Sequence, residues 1–310
     1  MEKALESNRT YFQEGLDMKT KNLRIGIGQI DCSVATVDDN LDKHLEVIER
    51  ARGDKVDLLV FPELSLTGYP QTTAEIEVLA CSSGSGPLAR LAKATDNMIV
   101  VVGFIEEAPD AQFYNSCAVL SNGEIIHLHR KLNLATYGAL HEGKLYGAGR
   151  YVETFTFGPW RACVLICADV WNPALVTLAA LHGATVLIIP TNSARGAVSN
   201  EFSSPHGWDT ATRFYSMMYG MTVVMSNRIG NESGLEFWGG SNITDPFGKT
   251  IACADSSEEL LIADIEYDSI RRARLQLPTV RDSNLALIGR EIQRLQQRLG
   301  IPDVIRQIPP

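Results

Sequence analysis

The sequence is short of everything that would place a chain in a membrane or build it on disulfides. No apolar run approaches the roughly 20 residues that a membrane-spanning helix needs, and the best, Met98 to Ile105, is about a strand long. Six cysteines, at 32, 81, 117, 163, 167 and 253, form no Cys-x-x-Cys pair, and no secretory apolar segment precedes them. Reduced thiols in a cytoplasmic protein are the expectation. Positive charge is also scarce, the formal net charge being -9. Nucleic acids and anionic membranes require clustered Lys and Arg, so neither is an expected partner, and a small molecule is. Repeats, low-complexity tracts and linkers rich in Gly, Ser and Pro are missing as well, so nothing divides the chain into separate domains.

What is present is a 310-residue chain with 45% apolar and 21% charged residues, enough for one large globular core. Residues 1–21 are polar without a clear period and read as an N-terminal extension. Leu23, Ile25 and Ile27 then alternate with smaller or polar residues as a strand does, and Asp38 and Asp39 open a helix with Leu41, Leu45 and Ile48 on one face. Strands at 57–61 and 98–104 enclose a helix at 88–94. A hairpin turns at Ser121-Asn122-Gly123, where Asn-Gly supplies positive φ angles. Beyond an irregular stretch at 132–150 come strand 162–166, helix 174–182, strand 185–189, a second irregular loop at 191–207, helix 208–219 and strand 222–226. Short strands near 241–244, 250–254 and 260–265 precede a helix at 268–274 and a final one at 285–299 rich in Arg and Gln. Alternating strands and helices with interspersed hairpins predict one α/β domain with layered, mixed sheets.

Four residues stand where chemistry is expected. Cys167 ends the apolar strand Cys163-Val164-Leu165-Ile166 and precedes a helix. A thiol at such a turn lies near backbone N–H groups whose dipoles favour a thiolate, although a lone cysteine beside a strand is more often a buried core residue. Glu63 follows the strand Leu58-Leu59-Val60-Phe61 and Pro62, where a carboxylate beside apolar neighbours suits general-base work; alone, a surface Glu is the commoner explanation. Lys131 closes the strand Ile125 to Arg130, and a fixed ammonium there can stabilise the oxyanion formed when a thiolate attacks an amide carbonyl, assisted by the N–H of Ala168. Glu142 follows the Tyr137-Gly138 turn. Each is unremarkable alone; together they lie at strand ends or in loops beyond them, where α/β proteins place active sites.

Rival patterns are incomplete. His127 and His129 share a strand face but lack a third metal ligand at suitable spacing, Gly26 and Gly28 give only the start of a dinucleotide fingerprint, and Ser82 to Gly86 lacks the Lys of a phosphate loop. Neither metal nor organic cofactor is expected.

The sequence resembles the nitrilase superfamily of carbon–nitrogen hydrolases, whose signature is Glu, Lys and Cys in that chain order. The matching motifs are Phe61-Pro62-Glu63-Leu64, His129-Arg130-Lys131-Leu132 and Leu165-Ile166-Cys167-Ala168-Asp169-Val170-Trp171. The likeness extends through Thr136-Tyr137-Gly138, Pro190-Thr191-Asn192, Asn227-Arg228, Trp238-Gly239-Gly240-Ser241 and Asp245-Pro246-Phe247-Gly248. It is nearest to the branch shared by stand-alone bacterial amidases and the glutaminase domain of glutamine-dependent NAD synthetases. Ala135 and Ala168 depart from that branch, which often has Pro before Thr-Tyr-Gly and an acidic residue after the nucleophile, and no Ser-Gly-Gly motif of a synthetase domain is present. Both points set the expected substrate apart from glutamine.

The resemblance implies a four-layer αββα sandwich over residues 22–267, with a helical tail at 268–310 lying on a neighbouring subunit of a homodimer or larger homo-oligomer. It implies Cys167 as nucleophile, Glu63 as base and acid, Lys131 at the oxyanion and Glu142 assisting. The expected activity is hydrolysis of a small linear amide through a thioester, releasing ammonia or an amine. A carbamoyl hydrolase, a true nitrilase and a silent binding scaffold are the alternatives. Tyr137, Trp171, Asn192, the N–H of Ala168 and, less directly, Glu201 are the candidate substrate contacts.

Overall fold

The computed structural model describes residues 22–301 apart from 33, 35 and 85, so the N-terminal extension at 1–21 lies outside the described residues. Two six-stranded mixed sheets face each other. The first has β1 (Asn22–Gln29), β2 (Leu58–Val60), β3 (Ile99–Glu107), β4 (Phe113–Ser121) and β5 (Glu124–Arg130) in that order, with the late strand β15 (Glu259–Glu266) added beside β1. Its β1–β2–β3 pairings are parallel and the remainder antiparallel. The second sheet runs β14 (Thr250–Cys253), β13 (Asn242–Thr244), β10 (Thr222–Asn227), β8 (Val186–Thr191), β7 (Trp160–Val164) and β6 (Phe155–Phe157).

Period-two alternation explains the layering. In β1, Leu23, Ile25 and Ile27 turn to one face and pack with Val164, Ile188, Val224 and Ile243 of the opposite sheet, making the central core. The other faces bury Val or Leu under helices. Leu59, Val100 and Val102 lie beneath α1 (Val37–Gly53) and α3 (Gly86–Lys93), while Leu187, Val223 and Met225 lie beneath α4 (Pro173–Leu181) and α5 (Ser204–Tyr219). The result is the four-layer αββα sandwich. Strands buried on both faces read as continuous apolar runs, which is why 98–105 looks like its sequence. The 121–123 hairpin forms as expected, with Asn122 at φ +52° and Gly123 at φ +83°.

The elements that the sequence reading does not contain include a helix and a whole sheet. A helix, α2 (Thr73–Leu79), follows the Glu63 loop and is closed by a reciprocal cap in which Glu75 N–H donates to Thr72 Oγ1 and Thr72 N–H donates to Glu75 Oε2. A third, three-stranded sheet joins β9 (Ala194–Arg195) to the hairpin β11 (Ile229–Glu232) and β12 (Leu235–Trp238). α6 (Tyr267–Gln276) and α7 (Leu285–Leu299) follow β15 near the expected positions. Among the described residues no helix is long and apolar enough to cross a membrane, and the six thiols are free.

Candidate active site

The Glu63 turn is folded tightly against the first sheet. Phe61 N–H donates to Val101 O at 2.9 Å, Leu66 N–H donates to Gly103 O at 3.0 Å, and the turn is closed by Gly68 N–H to Leu64 O at 2.8 Å. This packing needs a glycine at 103, because a Cβ there would sit 2.3 Å from the Leu64 nitrogen. Leu64 itself lies at φ +50°. Lys131 leaves β5 with its N–H on Asn115 O at 2.9 Å, and Glu142 opens a 3₁₀ turn at Glu142–Lys144. Cys167 opens another, Cys167–Asp169, at φ +43°. A left-handed, non-glycine residue at a strand end is the kind of local strain that accumulates where side chains are aimed for function.

These turns bring the three charged residues together. Lys131 Nζ donates to Glu63 Oε1 at 2.6 Å and to Glu142 at 2.8 Å, with all three side chains buried. Asn115 Nδ2 and the Asn192 N–H fix the two oxygens of Glu63 at 2.7 and 2.8 Å. Glu142 accepts from Tyr69 OH at 3.0 Å and from the Ala135 N–H at 2.8 Å. Burial opposes a charge on Lys131, but Glu142 and Glu63 outweigh it and hold the ammonium well above its ordinary pKa. Burial lifts the Glu142 carboxyl above its ordinary value, against the pull of Lys131.

The thiol departs from expectation. The strand-to-helix turn was read as favouring a thiolate, yet burial pushes Cys167 well above the usual thiol pKa, and the Glu63 charge adds to this while Lys131 and the Asn192 backbone oppose it. The N-terminus of α4 lies further on, at Pro173, where Asn172 caps the Ala174 N–H at 3.1 Å. A half-buried thiol raised in this way gives up its proton to a base rather than to water. Glu63 is the carboxylate whose charge weighs most on it.

Asp169 ties the cysteine turn to the lysine loop. Its Oδ1 accepts from the N–H groups of Leu132 and Asn133 at 2.9 and 2.6 Å, and its Oδ2 accepts from Ile166 N–H at 2.9 Å and contacts His129 Nε2 at 3.1 Å. His129 is thus engaged by a carboxylate, while His127 stacks on Phe155 at 5.3 Å. Among the described residues no three His, Cys, Asp or Glu gather as metal ligands.

A cleft opens on Cys167 between the two irregular loops. Tyr137, Trp171 and Asn192 line it, as the sequence suggested, joined by Phe202 and Trp208, which it did not. Trp171 packs on Trp208 with centroids 4.5 Å apart and meets Phe202 edge-on at 5.8 Å. Gly138, at φ +60°, lets one loop approach the other; a Cβ there would lie 2.0 Å from Ala197 O. Glu201 is exposed and does not line the cleft, and Ala168 is buried, so its part in the site rests on the backbone N–H alone. The supporting residues Tyr69, Asn115 and Asp169 were legible only as motif letters or not at all, since their use depends on contacts across the fold.

Residues 24–275 match the family model described as carbon-nitrogen hydrolase. The chain belongs to that family. Carbon-nitrogen hydrolase relatives include a glutamine-dependent NAD(+) synthetase of Thermotoga maritima, 29% identical over 267 residues that span 83% of this chain and 44% of the synthetase. An (R)-stereoselective amidase of a Pseudomonas species is 28% identical over 257 residues, 82% of this chain and 89% of the amidase. The fold is shared with a carbon-nitrogen hydrolase of Helicobacter pylori, which superposes with a TM-score of 0.76 at 21% identity, over 88% of this chain and 99% of the other. The chain spans about half the length of the NAD synthetases it matches.

Proposed function

We propose that this hydrolase is a cysteine-dependent amidase that cleaves the C–N bond of a small linear amide through a thioester. The observation that carries the reading is the buried Glu63–Lys131–Glu142 cluster beside Cys167, at the floor of a cleft. Glu63 takes the thiol proton, and the sulfur attacks the carbonyl carbon. Lys131 Nζ and the Ala168 N–H hold the resulting oxyanion, in a site where water is scarce and each donor counts for more. Glu63 then passes its proton to the nitrogen as the C–N bond breaks, and ammonia or an amine leaves. Water enters, Glu63 takes its proton, and the hydroxide displaces sulfur from the thioester to give the carboxylic acid and a reprotonated Cys167.

Glu142 keeps Lys131 charged and in place without a reacting role of its own. The amidase among the relatives supports the amide class, and the raised thiol pKa supports an obligatory base. The test is ammonia release from short amides by wild type and Cys167→Ala, with intact mass measured during turnover. Release by wild type alone, with an acyl mass increment on the protein, is the expected result; equal release by Cys167→Ala would end the proposal.

A further inference from the structure

Among the described residues the side chain of Asn192 has no hydrogen-bond partner. Both of its amide atoms are shielded from solvent without a hydrogen bond, although the residue is only 6% exposed and lines the cleft above Cys167. Buried amides are almost always satisfied, so one left open in a pocket marks a place for a ligand group. The other polar side chains on the same wall are engaged. Ser193 Oγ accepts from Trp238 Nε1 at 3.3 Å, and Ser204 Oγ donates to Ala194 O at 3.2 Å. The Asn192 backbone N–H is held on Glu63 Oε2 at 2.8 Å. That fixes the side chain beside the reacting centre, within reach of the first carbons of an acyl group attached to Cys167.

Among the described residues no charged side chain lines the walls of the cleft, which are Trp171, Trp208, Phe202 and Tyr137, and the charges beneath Cys167 are already paired with one another. An ammonium and a carboxylate on the substrate would be desolvated there without counter-charges, which is costly. The space is about 20 Å³, little more than a water molecule fills, so the acyl part that enters without side-chain movement is short. Resting on the amidase reading, we infer that Asn192 selects a short, uncharged amide bearing a hydrogen-bonding substituent on its α or β carbon. Its Oδ1 accepts from that substituent and its Nδ2 donates to it. Glutamine, with its paired charges, is then a poor substrate.

The experiment compares matched amides that differ only in this substituent. Lactamide is set against isobutyramide and malonamide against isovaleramide, with glutamine alongside, for wild type, Asn192→Leu and Asn192→Ser. In wild type the polar member of each pair is expected to have a kcat/KM at least about tenfold higher, the worth of one good hydrogen bond, and glutamine to be far weaker than lactamide. In Asn192→Leu the ratio falls to about one, and Asn192→Ser retains part of the preference. A wild-type ratio near one, an unchanged ratio in Asn192→Leu, or glutamine turnover matching lactamide would overturn the inference while leaving an amidase. Silence on every amide would remove the amidase reading and this one with it. Because the first ratio is measured on wild type, a variant that folds poorly does not decide the outcome.

Discussion

Lys131 holds two carboxylates that water no longer solvates. Glu63 and Glu142 each take a hydrogen bond from its ammonium, and neither lies near solvent. Lys131→Met would leave two buried like charges facing each other, and breaking such a pair costs about 3–5 kcal/mol. Glu142→Gln removes one charge but keeps an acceptor for Tyr69 and Lys131, so its loss is smaller. Chemical denaturation of the two variants should therefore rank Lys131→Met well below Glu142→Gln, and equal losses would mean that the cluster is not coupled in this way. His44 makes a second residue-scale case. It is buried between Asn40 O at 2.6 Å and Ser65 Oγ at 2.9 Å against the ring of Phe61, and burial, with the Lys43 charge adding to it, lowers its pKa to about 4. The unfolded chain binds that proton near the ordinary value of 6.5 and the native chain does not. Stability from this group is thus complete above 6.5, falls as pH drops to 4 and is level below, a span of about 3 kcal/mol. His44→Gln should be less stable at pH 7 yet lose less between pH 6.5 and 4.5, measured as the urea midpoint; parallel curves would contradict the assignment.

At the scale of elements, the site is set by how closely the Glu63 turn crosses β3. Gly103→Ala places a methyl group against the backbone at Leu64, Pro62 and Glu63, none of which can swing aside as a side-chain tip would. Overpacking of this sort costs about 1–3 kcal/mol, and moving Glu63 by a fraction of an ångström should lower kcat by about tenfold to a hundredfold. Gly26→Ala is the control, since the atoms nearest its Cβ would be side-chain atoms of Val56 and Leu260 at 3.1 to 3.3 Å. It should lose stability with kcat nearly intact, and a matching kcat loss in both would show a global rather than a local effect. The strands before Glu63 and Cys167 were legible because buried strands are apolar runs, and the residues just past their ends stood out against them, while the strand before Lys131 was marked by the Asn122-Gly123 turn that opens it. The hairpin β11–β12 was not, because Ile229-Gly230-Asn231-Glu232 lacks a clear alternation and is held from elsewhere. Glu232 takes the N–H of Val34 and Tyr69 and the guanidinium of Arg228, contacts joined across most of the chain. The Ser233-Gly234 turn, at φ +51° and +80°, was its one local signal, equivalent to the Asn122-Gly123 turn that was read. α2 likewise announced itself only through Thr72 and Glu75, a capping pair over too short an apolar stretch to show a period.

For the whole molecule, α7 is the element that the single chain leaves unfinished. Leu285, Ile288, Ile292, Leu295 and Leu299 are 40 to 64% exposed, and no residue of the helix is buried. Their spacing alternates three and four, so they form one stripe of the width that two helices bury against each other, while Arg290, Glu291, Arg294 and Arg298 lie off it. A single polar helix would need no such stripe, and a self-complementary seam is best covered by the same helix of a second copy. This makes the tail the expected contact of a homodimer or larger assembly. Ile288→Glu with Ile292→Glu puts two like charges into the seam from each copy, where desolvation and repulsion act together. Light scattering should find the unaltered chain at twice its 34.0 kDa mass or more, and the double variant shifted toward 34.0 kDa with its helical circular dichroism kept. Ammonia release should survive dissociation, because no residue of α7 lines the cleft on Cys167. An unchanged mass in the double variant would show that α7 does not join the copies, and a mass of one chain before substitution would show that no second copy covers the stripe.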